Sequence, residues 1–473
     1  MDRMEFHQGD AMLCSASQDW LARATALTVV LVACALPGSA QNANASLSTQ
    51  PGGANHAAVT LTLKEALALA EKNDPAVLAA TTDAMVARED SRQARAALYP
   101  SLSGRSEYLG TQGNGKVASG RFVTNDGVHV YRDWAVVHQD LSPGTLGRTA
   151  VRRAAVNEAL MRAKIEIARR GLVVTVTKNY YAMVAAQRKV ATAKLALEQA
   201  RKSLEISEDL ERGREAAHSD VVKSQMQENA QQQALQEAQL LTETTRLDLA
   251  VLLFREFDDQ FSVVDDLDST PPLPALPEVE TLASRGNPTL AAAMETVRAG
   301  ELDVAIARQA LLPTLTVDAV YGIEANAFAF HSTVAAFKEL GPLPNLGYFI
   351  TASLNIPVWD WGLRRSKIRQ SVLKQKEAAV ELSAAQRTAL RNLRGLYSEA
   401  QVARQQTDLL HRAVDLASES LRLYTLRYQA GEATILELVD AQTSLNQARN
   451  ALNDGMVRYR IAIGNLQTLT GNI

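Results

Sequence analysis

Arg427-Tyr428-Gln429-Ala430-Gly431-Glu432-Ala433-Thr434-Ile435-Leu436-Glu437-Leu438-Val439-Asp440-Ala441-Gln442 is the stretch whose reading decides the fold. It lies within residues 358–473, which contain no proline, a residue that costs about 3 kcal/mol in a helix interior. Only Ala430-Gly431-Glu432 interrupts the helical pattern, and glycine there supplies the positive φ that ends a helix. Past the break, positions 438, 441, 445, 448, 452 and 455 read Leu, Ala, Leu, Ala, Leu, Gly. That 3-4-3 spacing of large and small residues is the seam of a closely packed coiled coil. The stretch is therefore the tip of an antiparallel helical hairpin. Its first arm, about 363–428, is roughly 100 Å long at 1.5 Å per residue.

The first half of the chain repeats this plan. Residues 144–270 also lack proline and break once, at Arg212-Gly213-Arg214, after an arm over about 146–212. Positions 190, 193, 197, 200, 204 and 207 read Val, Ala, Leu, Ala, Leu, Ser. Upstream, Asn73-Asp74-Pro75 precedes Pro100 by 25 residues, and Gly286-Asn287-Pro288 precedes Pro313 by the same distance. Each proline pair encloses an alanine-rich helical pattern. The division that follows is a first repeat over 59–262 (helix, two strands, long helical hairpin), a linker over 263–278 of acidic and Pro-rich composition, and a second repeat over 279–473.

The composition of the 473 residues fits this plan. Apolar residues make up 47% but aromatics only 5%, as in long helices rather than a thick mixed core. A formal charge of −3 offers no basic field for nucleic acid. Both cysteines, Cys14 and Cys34, lie near the N-terminus. Residues 24–36 form an apolar run too short to span a bilayer, followed by Pro37-Gly38-Ser39-Ala40. Residues 1–40 read as a signal peptide cut before Gln41. Leu31-Val32-Ala33-Cys34 also reads as a lipobox, with Cys34 lipidated as the alternative to that cut, and residues 41–58 as a flexible lead-in.

Between helical segments lie stretches that alternate with period 2. In 346–356, Tyr348, Ile350, Ala352, Leu354 and Ile356 share a face opposite Thr351, Ser353 and Asn355; 314–323 alternates likewise, and 101–110 and 128–140 more weakly. Ten-residue segments of this kind suit a membrane β-barrel. Trp134, Trp359, Trp361, Tyr321 and Tyr348, joined by Tyr108 and Tyr131, are placed as an interfacial aromatic girdle. Four strands leave open edges, which hydrocarbon does not tolerate, so several chains must close the barrel. Three chains give twelve strands and an open lumen. The charged hairpins cannot lie in the membrane and project as a tube. A periplasmic coiled-coil scaffold or adaptor without a channel is the alternative, but it needs no lipid-facing strands.

The segment 427–442 resembles the second hairpin tip of the TolC-like outer-membrane efflux family. His218-Ser219-Asp220-Val221-Val222-Lys223-Ser224-Gln225 resembles the first tip, with one extra residue in its turn. Pro357-Val358-Trp359-Asp360-Trp361-Gly362-Leu363-Arg364-Arg365 resembles the strand-to-helix junction, while its counterpart Gln139-Asp140-Leu141-Ser142-Pro143-Gly144 departs from that pattern. The resemblance runs from about residue 60 to the C-terminus. It implies a mainly α fold with membrane β: duplicated long antiparallel α-helical hairpins forming a periplasmic tunnel, plus four strands per chain completing a trimeric twelve-stranded transmembrane barrel. It implies an outer-membrane duct that conducts passively, a homotrimer in outer-membrane lipid working with a periplasmic adaptor (membrane fusion protein) and an inner-membrane pump, with no cofactor.

The resemblance also assigns residues. Glu437 and Asp440 match the acidic constriction, with Asp220 and Lys223 in the corresponding places on the first hairpin, where Lys223 pairs with a neighbouring acid. Tyr428 matches a position that ties neighbouring helices near the gate. The turns at Gly213 and Arg214, and at Gly431 and Glu432, are the expected adaptor-docking tips. Read from the residues alone, the same acids are solvated helix faces and the same turns are plain caps. No H-x-x-x-H, H-E-x-x-H, G-x-S-x-G or Walker A pattern occurs, so neither catalysis nor a metal site is expected.

Overall fold

The computed structural model describes residues 59–110, 129–256, 260–325, 328–331 and 344–471. The signal peptide, the lead-in 41–58 and Cys34 lie outside these residues. The elements run β1 (Val59–Leu61), α1 (Leu63–Asn73), α2 (Pro75–Ala96), β2 (Ser101–Gly110), β3 (His129–Asp140), α3 (Pro143–Leu146), α4 (Thr149–Arg212) and α5 (His218–Leu253). They continue with β4 (Phe261–Val263), α6 (Leu276–Gly286), α7 (Pro288–Gln309), β5 (Thr314–Ala325), β6 (Leu346–Asn355), α8 (Leu363–Gln429) and α9 (Ile435–Thr470).

Local chemistry sets the element ends. Asp74 accepts from the Val77 amide at 2.8 Å with Pro75 at the first helical position, and Asn287 caps α7 ahead of Pro288 in the same way. Proline fits there because its missing N–H has no helical partner to lose. α4 and α8 then run unbroken for 64 and 67 residues, about 100 Å each. No described helix is long and apolar enough to cross a membrane.

Four strands form an antiparallel sheet in the order β2-β3-β5-β6, and the helices repeat that order. Beside the sheet the helical layer runs α2-α4-α7-α8; towards the tips, α5 and α9 replace α2 and α7, giving α5-α4-α9-α8. Each sheet strand thus prolongs one helix of the layer, and both the sheet and the layer end in open edges. The register is continuous to Asp140↔Thr316, so the unusual 139–144 junction does not disturb β3. The short helix α3 takes up the difference.

The pleat assigns the faces. Leu102, Val137, Ala319 and Ile350 lie abreast on one face, as do Ala135 with Tyr321 and Tyr321 with Tyr348. The other face carries Glu107, Arg132 and Glu324 abreast, with Arg132 bonded to Glu324 at 2.9 Å, and His138 beside Asp318 at 2.6 Å. Two polar pairs sit on the apolar face: Ser106 donates to Asp133 at 2.6 Å, and the Tyr108 hydroxyl lies 2.6 Å from His129 Nδ1. Gly322 has no room for a side chain: a Cβ would stand 2.1 Å from the Asp133 carbonyl oxygen.

The main core lies about midway along α4, where it meets α5, α1 and the small parallel pair β1–β4. Val176, Tyr180, Val184, Leu249 and Leu253 are essentially inaccessible there. The Tyr180 hydroxyl donates to the carbonyls of Leu61 and Val264, and burial pushes its pKa up to about 12. Residues 264–275, within the segment read as a linker, are strapped down. Arg188 holds Asp265 at 2.5 Å and Asp268 at 3.0 Å, Arg460 holds Asp266, and Tyr459 donates to the Pro271 carbonyl at 2.6 Å. The acidic run finds its cations on α4 and α9, far away in sequence.

Candidate functional site

The two tips are built alike. Five residues join α4 to α5 and five join α8 to α9, so the extra residue expected at the first tip is absent and the two turns correspond position for position. In both, an amide reaches five residues back, Glu215 to the Leu210 carbonyl and Glu432 to the Arg427 carbonyl, each at 2.8 Å. That is the Schellman closure, which needs a left-handed residue just before the donor. Gly431 supplies it with φ 72°. At the first tip the expected glycine does not: Gly213 has φ −75°, and Arg214 takes φ 63° instead. The frame of the turn, rather than the place of the glycine, decides which residue is strained.

The same frame puts Asp220 opposite Glu437 and Lys223 opposite Asp440, each counted from the first residue of its helix. Glu437 is bound locally. Its carboxylate accepts from the Thr434 amide at 2.8 Å and the Thr434 hydroxyl at 3.0 Å, while the Thr434 Oγ1 accepts from the Glu437 amide. This capping box holds the Glu437 carboxyl below its usual pKa, chiefly through the Thr434 backbone bond. Asp440 is exposed on the next turn. Asp220 and Lys223 are half-buried, and Lys223 forms no ion pair among the described residues of one chain. The first hairpin has Ala217 where the second has Thr434, and no side-chain cap.

Tyr428 is buried, and its hydroxyl lies 2.9 Å from Ser207 Oγ on α4. Ser207 in turn meets Ser224 of α5 at 2.8 Å, and Gln442 of α9 donates to Ser203 at 2.6 Å. A buried polar seam therefore joins the two hairpins just above the tips. Desolvation raises the Tyr428 pKa. Ser203, Ser224 and Gln442 were not singled out by sequence reasoning. Ser207 alone sits at a seam position, where alanine or leucine is the rule; the other three carry no periodic signal.

At the other end, Tyr108 pairs with Tyr131 and Tyr321 with Tyr348, all on the apolar face. Trp359 and Trp361 follow β6, exposed and edge-to-face at 5.7 Å. Trp134 departs from the expected girdle. Its pleat position puts it on the charged face, with Arg132 5.3 Å over its ring and Phe349 edge-on at 5.7 Å.

Residues 281–472 match the family described as "Outer membrane efflux protein". The chain is 24% identical over 163 residues to "Outer membrane protein TolC" of Escherichia coli, an alignment covering 34% of this chain and 33% of TolC. It is 25% identical over 279 residues to "Pyoverdine export outer membrane protein OpmQ" of Pseudomonas putida, covering 58% and 56%. The matched part thus spans a third to just over half of these curated relatives. Among solved structures, the Campylobacter jejuni CmeC outer membrane channel aligns with TM-score 0.75 at 18% identity over 87% of this chain and 85% of that one. The Vibrio cholerae outer membrane protein VceC aligns with TM-score 0.75 at 20% identity, over 86% and 96%. The two-repeat architecture therefore shares the fold of these outer-membrane channel structures over 86–87% of the chain.

Proposed function

We propose that this protein is the outer-membrane exit duct of a tripartite efflux or type I secretion system, conducting solutes passively from a pump and adaptor to the exterior. One observation carries the reading: the strand order copies the helix order, and both layers end in open edges. A sheet with one apolar face cannot stand in a membrane unless its edges pair. β6 runs antiparallel to the β2 of a second copy, so three copies close a twelve-stranded barrel above a twelve-helix tunnel. The ten residues of β6 measure roughly 33 Å. Inclined at about 40°, they cover the roughly 25 Å apolar band of an outer-membrane barrel.

The edge helices support the same closure. On α8, Leu373 and Val380 are seven residues apart, as are Leu409 and Leu416, and all four are more than 60% exposed. Met85 of α2 and Met226 and Leu240 of α5 are similarly bare on the opposite edge. A heptad stripe of this kind is a coiled-coil seam awaiting its partner, here the neighbouring protomer.

At the tips, three copies of Glu437 and Asp440 stand around the axis as the constriction, and the Tyr428–Ser207 bond ties the hairpins there. The turns at Gly213, Arg214, Gly431 and Glu432 are the docking surface for the adaptor. The test is conductance in planar bilayers of protein extracted from outer membranes, with its mass measured in detergent. A trimer with discrete cation-favouring channels is expected. A monomer that stays soluble without detergent would overturn the duct.

A further inference from the structure

The sheet-proximal ends of the two longest helices carry charges of the wrong sign for a helix start. The N-terminal end of a helix is partially positive, so acids are favoured there and cations disfavoured. Yet α4 opens with Arg148, Arg152 and Arg153, α8 with Arg364, Arg365, Lys367 and Arg369, and neither has an acid in its first turn. Only two of these cations are answered: Arg153 by Asp303 at 2.8 Å and Arg364 by Asp360 at 3.2 Å. Arg148, Arg152, Arg365, Lys367 and Arg369 are exposed and have no acidic partner among the described residues. The arrangement occurs in both repeats, so it is not one accidental run.

What lies next to these cations points to their partner. On the sheet side of α8, Val358, Trp359 and Trp361 are 87%, 74% and 90% exposed. On the sheet side of α4, Leu146 is 67% exposed. Bare apolar and aromatic groups followed within two turns by cations is the profile of a bilayer interface. Indole rings settle at the headgroup level, and arginine and lysine stems cover apolar surface while their heads reach the phosphates. From Trp361 to Arg369 is eight residues, about 12 Å of helix, which keeps every one of these charges within reach of a headgroup layer several ångströms thick.

We propose that the first two turns of α4 and α8 form a cationic collar that binds anionic phospholipid headgroups in the leaflet facing the helices. This rests on the barrel reading above, which places the sheet in the membrane. The collar makes seating in the bilayer depend on lipid charge, a property the barrel surface alone does not confer. Each cation near an anionic surface is worth roughly a fivefold change in partitioning, and the effect weakens as salt shortens the Debye length.

The experiment uses the full chain extracted in detergent, titrated with dioleoylphosphatidylglycerol or dioleoylphosphatidylcholine and read by native mass spectrometry. Conductance is recorded in parallel in phosphatidylcholine bilayers. Wild type is expected to retain phosphatidylglycerol about tenfold or more over phosphatidylcholine, with the preference falling as salt rises. R148Q/R152Q/R365Q/K367Q/R369Q is expected to lose that preference, and R148K/R152K/R365K/R369K to keep most of it. If the fivefold variant does not assemble, R365Q/R369Q reads the same effect on a smaller scale, and the salt dependence of wild type needs no variant. A conducting trimer that holds both lipids equally overturns the collar alone. Unchanged lipid preference in the fivefold variant with altered ion selectivity overturns it too, by placing the cations in the lumen. Unchanged lipid preference with lost binding to purified sacculi overturns it by making the cell wall the partner. A chain that forms no detergent-dependent multimer overturns the barrel reading and the collar together.

Discussion

Glu437 has two duties that a single substitution separates. Its carboxylate caps α9 and, in the proposed duct, adds charge to the constriction. Glutamine fills the same capping role, so E437Q should leave the tip helix intact while reducing cation preference in planar bilayers, by severalfold in permeability ratio. Loss of the tip fold in E437Q would show that the charge itself holds the turn. The lowered pKa gives the sign of the pH effect. The cap is fully effective above the unfolded carboxylate pKa near 4.3 and weakens as pH falls through the lower folded value. Amide exchange at the start of α9 should therefore be steady from neutral pH to about 5 and speed up below about 4 relative to the E437Q reference. The left-handed turn residues give a second contrast. An L-residue pays about 1–2 kcal/mol there, so Gly431→Val should destabilise the second tip by that amount and Arg214→Gly should stabilise the first by about 1 kcal/mol, both read by local amide exchange. If G431V keeps trimer and export intact, docking at that tip loses its support.

Among the elements, the strap over 264–275 and the polar seam carry the most specific expectations. Asp266 answers Arg460, which is only 14% exposed at its side chain. D266N leaves that guanidinium short of its counter-charge, and the expected loss is about 1–3 kcal/mol, discounted because Asp266 itself is partly solvated. Thermal denaturation of the detergent-extracted protein measures it. The seam makes a different demand. Tyr428→Phe removes one hydroxyl, while Ser207 keeps its bond to the Ser203 carbonyl at 2.8 Å. The stability cost should be about 1 kcal/mol, and the hairpins should part more readily, seen as a larger fraction of open-channel time. The helix seams were legible to different degrees. Leu438, Ala441 and Leu445 are buried as the heptad reading of α9 requires. On α4, Leu197, Ala200 and Ser207 are buried but Thr192, Ala196 and Ser203 are too, because this helix packs on several neighbours and no single stripe describes it.

For the whole molecule the decisive expectation is closure. Leu409→Glu with Leu416→Glu places two acids in the bare heptad stripe of α8 and should convert the detergent-extracted trimer to monomer, by native mass. The same pair of changes should leave the helical content of the monomer unchanged, because neither residue is buried within one chain. A trimer that survives them would move the subunit seam elsewhere.

The sequence by itself determined the duplicated plan, the hairpin breaks, the four sheet strands and the apolar faces of β5 and β6. Those follow from proline spacing, from turn residues and from periods of 2 and 3.5, all of which act within a few residues along the chain. The family resemblance put Glu437, Asp440, Asp220 and Lys223 in corresponding places, but only the structure showed that both turns have five residues. Only the tertiary structure decided which face Trp134 joins, because that depends on the register of β3 against two other strands. It alone showed that an acidic, proline-rich segment is a strap, since the arginines that pin it arrive from 77 and 194 residues away. It alone assembled Tyr428, Ser207, Ser224, Ser203 and Gln442 into a seam. Small polar residues carry no periodic signature, and their meaning comes from what is buried opposite them.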